Sequence, residues 1–144
     1  MAVKKQASLF LALLAAGCCF AEGPVRVAIK FNVQDDDRIG SKLIYRTKEN
    51  IRASNGMVLS PLEADSDVQI EIITLMIPAG AGETSSASTA YSVLYTFIAR
   101  PSSYRAAMYH SIGLCDESSV NDKAEGIVVK TDQLIQTFKI IGKK

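Results

Sequence analysis

Apolar and polar residues alternate along "PVRVAIKFNV", where Val25, Val27, Ile29, Phe31 and Val33 oppose Arg26, Ala28, Lys30 and Asn32. Period two with one apolar face predicts a half-buried strand. "QDDD" breaks the alternation and offers Asp35 or Asp36 as a helix N-cap, with acids placed where the helix dipole favours them. From Arg38 to Ser54 the period lengthens. Ile39, Leu43, Ile44 and Ile51 fall on one side, and Arg38, Lys42, Arg46 and Glu49 on another. This spacing predicts an amphipathic helix, closed at Asn55-Gly56 with Gly56 in a left-handed conformation. Met57 to Ser60 reads as a short second strand, and "SPLE" at 60–63 as the start of a one-turn helix.

Val68 to Ile77 is rich in β-branched residues and predicts a central strand. Thr89 to Arg100 resumes strand character, with Tyr91, Val93, Tyr95 and Phe97 on one face. The two runs pair most simply as a hairpin across "PAGAGETSSAS" at 78–88, a small, polar stretch expected to be a mobile loop. After "RPSS", Tyr104 to Leu114 alternates at Ala106, Met108, His110, Ile112 and Leu114, which favours a fifth strand, although "YRAAMYH" also suits a helix start. Ser118 or Ser119 then caps a helix with Val120, Ala124, Ile127, Val128, Thr131, Leu134, Ile135 and Phe138 inward and Lys139 in its last turn. The order is β-α-β-β-β-β-α. It predicts an α+β, two-layer sandwich: a mainly antiparallel sheet with two helices on one face and a second face that is polar or covered by a partner.

The first twenty-one residues have the order of an export signal: Lys4 and Lys5, an apolar run from Ser8 to Phe20, then small residues at a cut. The run is shorter than the roughly 20 apolar residues of a membrane span. Two fates follow for the double cysteine. Leu14-Ala15-Ala16-Gly17-Cys18 has the look of a lipoprotein signal, with Cys18 as the lipidated residue, although Ala15 stands where Leu is usual. The six residues Cys19–Pro24 then reach at most about 20 Å from lipid to first strand. Cleavage after Ala21 has small residues at both key places and is the reading adopted. It makes residues 1–21 a signal peptide and 22–144 one α+β domain, periplasmic or secreted. The alternative is a lipid-anchored protein of the outer membrane.

Without residues 1–21 the chain carries 14 basic and 15 acidic residues. This balance gives no electrostatic case for nucleic acid or for an anionic membrane, so membrane contact is expected only through a lipidated Cys18. One cysteine, Cys115, is then left, and an unpaired thiol most simply packs as a small buried hydrophobe.

Few residues suggest chemistry. Asp35, Asp36 and Asp37 are consecutive, so their carboxylates diverge, and no bidentate acid follows at calcium-loop spacing. No metal site or cofactor is expected. His110, the one histidine, is the residue a small hydrolase or ligand-binding protein would use, with Cys115 five places on. An odd offset on one strand puts the two on opposite faces. "GAGE" at 80–83 lacks the strand-to-helix setting of a phosphate loop. Arg38, Lys42 and Arg46 on the first helix, and Tyr91 and Tyr95 on the fourth strand, are candidate partner contacts, tyrosine being enriched at interfaces.

The stretch "DDRIGSKLIYRTKENIRASNGMVLSPLEADSDVQIEIITL" is similar in element order to the N-terminal domain of TolB and related envelope-assembly lipoproteins. The resemblance covers residues 25–100. It implies two helices packed on a small sheet, and a non-catalytic module that binds a protein partner in the cell envelope. No functional residue transfers.

Overall fold

The structure, a computed structural model, describes residues 23–78, 87–99 and 104–141. Cys18, the rest of the export segment and most of the 78–88 loop lie outside these residues.

Five strands form one sheet in the order β2-β1-β3-β4-β5. They are β1 (Val25–Val33), β2 (Met57–Leu59), β3 (Val68–Ile77), β4 (Ser88–Ala99) and β5 (Tyr104–Asp116). Among the described residues two helices, α1 (Arg38–Ala53) and α2 (Val120–Ile141), complete the α+β fold. The longer ladders, β3–β4 and β4–β5, are antiparallel. β1, by contrast, runs parallel to both of its neighbours. A parallel neighbour needs a crossover, and α1 supplies it between β1 and β2. The chain then passes from β2 to β3, which flank β1 on its two sides. That passage is short because β2 stops after three residues, so Leu59 and Val68 both lie level with Val27. Ser60 donates to the Val27 carbonyl at 2.8 Å, and Asp67 to the Arg26 carbonyl at 2.8 Å, so the turn is bonded at both ends.

Alternation sorts the strands into two faces. Val25, Val27, Val68, Ile70, Ile72, Val93, Tyr95, Phe97 and Cys115 are buried against Ile39, Leu43, Ile44 and Ile51 of α1 and Val120, Ala124, Ile127 and Ile135 of α2. Both helices therefore cover one face, as their apolar stripes predict. Phe138 of α2 stacks on Phe97 with ring centroids 5.2 Å apart.

Several local expectations need correction. The N-cap of α1 is Asp37, not Asp35 or Asp36, and no acid lies in its first turn. Asp36 instead takes a positive φ of 69° in the turn that leads into the cap. The helix ends by passing straight into extended backbone at Ser54, and Gly56 is not left-handed. Ser60 does not cap a helix: its hydroxyl donates to the Leu62 carbonyl, and the single 3₁₀ turn forms at Glu63–Asp65. β5 runs two residues past Leu114, and a bulge near Met108 shifts its register against Tyr95 and Thr96.

Candidate functional site

The face without helices divides into two halves. Around the start of β1 and β3 it is polar and cross-linked. Arg26 Nε lies 3.4 Å from Asp67, Lys30 Nζ lies 3.5 Å from Glu71, and Arg105 donates to Gln69 Oε1 at 2.8 Å. Solvent-exposed pairs of this kind contribute little energy, but they fill that half with mutually satisfied charge. Towards the β3–β4 connection the same face turns apolar. Ile73, Leu75 and Ile77 point outward from β3, and Ile112 and Leu114 from β5. Ile112 is 77% exposed and Leu114 62%.

Register explains the shape of this apolar half. Ile73 pairs with Ser92, which pairs with Ile112. Leu75 pairs with Ala90, which pairs with Leu114. Large side chains on the outer strands thus flank small ones on β4, and the result is a shallow apolar groove of about 420 Å³ along β4. At one end Ser92 Oγ lies 2.8 Å from His110 Nε2. A larger concavity of about 560 Å³ lies between α1 and the β1–β2 edge, but Lys48 and Arg52 stand in its lining. There the Lys48 ammonium sits 4.2 Å above the Phe31 ring, and Arg52 is paired with Glu49.

The candidate contacts read from the sequence are separated by this fold. Tyr95 is 1% exposed and lies under the helices, so it is core and not a contact residue. Burial pushes its phenol well above the ordinary value of 10.0. Tyr91 occupies the same covered face, half buried against the core, and burial, then the nearby Cys115, raises its phenol as well. The reason is periodicity: both tyrosines share their face with Val93 and Phe97. On α1, Lys42 is paired with Glu117, while Arg38 and Arg46 are exposed on the helix side of the molecule, away from the groove. His110 and Cys115 fall on opposite faces. Cys115 is buried, and desolvation raises its thiol above the ordinary 9.0. The groove wall on β3 is hidden in the sequence because Ile72–Ile77 is apolar at every position but Thr74, so its outward half does not stand out.

Asp37, read as part of an acidic cluster, is 2% exposed and serves the fold. Its Oδ1 accepts from the Gly40 N–H at 2.8 Å and from the Thr89 hydroxyl at 2.6 Å. Among the described residues no group of three or more metal-ligating side chains converges.

No family model matches the chain, and no curated protein does. Solved structures do. A putative neuraminyllactose-binding hemagglutinin homolog from Helicobacter pylori is 7% identical, with 85% of this chain and 90% of that one covered, at a TM-score of 0.45. A PelC dodecamer from Paraburkholderia phytofirmans is 11% identical over 75% of this chain and 85% of that one, at 0.42. Lipoprotein GNA1162 from Neisseria meningitidis is 7% identical over 76% and 99%, at 0.40. Bacterial lipoproteins are thus among the structures this chain is similar to, which is the coarser form of the resemblance read from residues 25–100.

Proposed function

We propose that this is an exported, non-catalytic binding module of the bacterial cell envelope, and that it holds a protein partner in the apolar groove of its helix-free sheet face. One observation carries the reading. Five large aliphatic side chains on that face, Ile73, Leu75, Ile77, Ile112 and Leu114, are left exposed and contiguous, while the other half of the face is occupied by ion pairs. An exposed aliphatic patch of this kind is what a docking surface requires. The groove is open and spans Ile73–Leu75, Ala90–Ser92 and Ile112–Leu114, which suits a short apolar cluster presented by a protein partner.

Photo-crosslinking in cells tests this. A crosslinker at Ile73 or Leu75 is expected to give one protein adduct, lost in Ile77→Lys, and a crosslinker at Arg46 to give none. Adducts from Arg46 with none from β3 would overturn the assignment. An intact mass of the mature chain separates cleavage after Ala21 from lipidation of Cys18.

The Ser92–His110 contact favours a second reading, a small hydrolase with Ser92 as nucleophile and His110 as base. Their 2.8 Å separation fits such a pair. Against it, Ser92 lies in the middle of β4, paired on both sides with Ile73 and Ile112. The ladders claim the backbone N–H groups that an oxyanion would need. Loss of an ester-hydrolysing activity in Ser92→Ala would establish this reading over the first.

A further inference from the structure

Among the described residues the sheet ends on one side at β2, three residues long, and on the other at β5, thirteen residues long. Long edges invite pairing with another chain, and proteins blunt them with charge, proline or brevity. From Ser111 to Cys115 β5 carries no charge and no proline, and it displays the exposed Ile112 and Leu114. We propose that this edge pairs with the same edge of a second copy, antiparallel, about a twofold axis through Gly113. The proposal stands independently of the groove's partner.

Self-complementarity selects that register. In a symmetric antiparallel pair centred on Gly113, Ile112 lies opposite the partner's Leu114, and Leu114 opposite the partner's Ile112. His110 lies opposite the partner's Asp116, twice by symmetry. Opposed aliphatic and opposed polar pairs of this type are the stabilising unit of a sheet. Centring on Ile112 instead sets His110 against Leu114, and centring on Leu114 sets Ile112 against Asp116. Both alternatives oppose polar and apolar groups on one face.

The covered side is compatible with the same register. There Ser111 meets the partner's Cys115, and Gly113 meets its own copy, so only small side chains approach the axis. Gly113 is held small from within as well, since a Cβ there would lie 2.7 Å from Tyr91 Oη. Pairing closes at both ends where the chain turns after Asp116, which leaves seven residues, about the usual length of a strand. The product is one continuous ten-stranded sheet with the two apolar grooves side by side on its open face.

Two measurements test this on the mature chain. In sedimentation the wild type is expected to dimerise reversibly. His110→Glu is expected to weaken the dimer about fivefold and His110→Lys to strengthen it by a similar factor, because each change acts twice. For the register, Ile112→Cys and Leu114→Cys are purified separately and then mixed under oxidation. A covalent dimer is expected in the mixture and not in either variant alone. A wild type that stays monomeric at its highest soluble concentration overturns the proposal, as does crosslinking of Ile112→Cys to itself. Ile73→Lys, on the groove wall away from the edge, should leave dimerisation intact while abolishing partner capture. The two proposals therefore fail separately.

Discussion

Thr89, near the start of β4, donates its hydroxyl to Asp37 Oδ1 at 2.6 Å and so ties the N-terminus of α1 to a strand 52 residues away. The same oxygen caps the helix by accepting from Gly40 N at 2.8 Å. A cap is ordinarily a surface device, but this one is buried and carries a tertiary bond. Asp37→Ala leaves two buried donors unpaired and is expected to cost about 2–4 kcal/mol. Asp37→Asn keeps an acceptor oxygen and is expected to cost about 1 kcal/mol. In urea denaturation, Asp37→Ala and Thr89→Val should couple in a double-mutant cycle. Strict additivity would show that the bond contributes nothing.

Two helical glycines should answer oppositely to alanine. At Gly40 an added Cβ would lie 2.3 Å from both Asp37 Oδ2 and Thr74 Oγ1, atoms that are buried and without a hydrogen-bond partner. Overpacking there is expected to exceed the roughly 1 kcal/mol gained in helix propensity and give a net loss of about 1–3 kcal/mol. Gly126, in the middle of α2, has nothing within 4 Å of its added Cβ. Gly126→Ala is expected to stabilise by up to about 1 kcal/mol. Thermal melts of the two variants check both signs, and a stabilised Gly40→Ala would refute the account of the cap.

Most element boundaries were legible because alternation and the 3.6-residue period are local properties. β1, β3, β4, β5 and both helices begin and end within about two residues of where the pattern changes. What the sequence hid was long-range. Asp37 is the residue just before the helix start at Arg38, so its cap was local, but its bond to Thr89 was not, and the parallel setting of β1 depends on which strands flank it. The face of Tyr91 and Tyr95 was written in the sequence, since they alternate with the same parity as Val93 and Phe97. Which side that face takes is not written there, because aromatic residues suit a core and an interface equally. The groove needed the register itself: only pairing shows that Ala90 and Ser92 form a floor between Ile73 and Leu75 on one side and Ile112 and Leu114 on the other.

Asp116 links the end of β5 to α2 and gives an acid-sensitive step. Hydrogen bonds from Ser118 and Ser119 hold its carboxyl down at about 2, below the ordinary 3.8. A depressed carboxyl stabilises the fold above its unfolded value, and that contribution disappears as pH falls through the folded one. The window therefore lies between about pH 4 and pH 2. Urea midpoints taken across it should fall for the wild type and fall less for Asp116→Asn. Equal slopes would remove Asp116 from the acid transition.

The opposite limb belongs to the covered face. Burial raises the Cys115 thiol above 9.0 and the Tyr95 phenol above 10.0, because each loses hydration that its ionised form needs. Here the unfolded chain ionises first, so stability is whole below those ordinary values and declines as pH rises past them. Cys115 titrates earliest in the unfolded chain, so the decline should begin near pH 9. Cys115→Ala is expected to move the onset towards pH 10, where Tyr95 takes over, at a cost of about 1 kcal/mol for the small cavity left at neutral pH. Tyr95→Phe should then reduce the decline and leave the part due to Tyr91, whose phenol burial also raises. The same burial makes Cys115 a reporter, since a thiol reagent can reach it only when the sheet and helices part. Its labelling rate should follow denaturant as global unfolding does. Rapid labelling in native buffer would place the thiol outside the core and sink the alkaline argument with it.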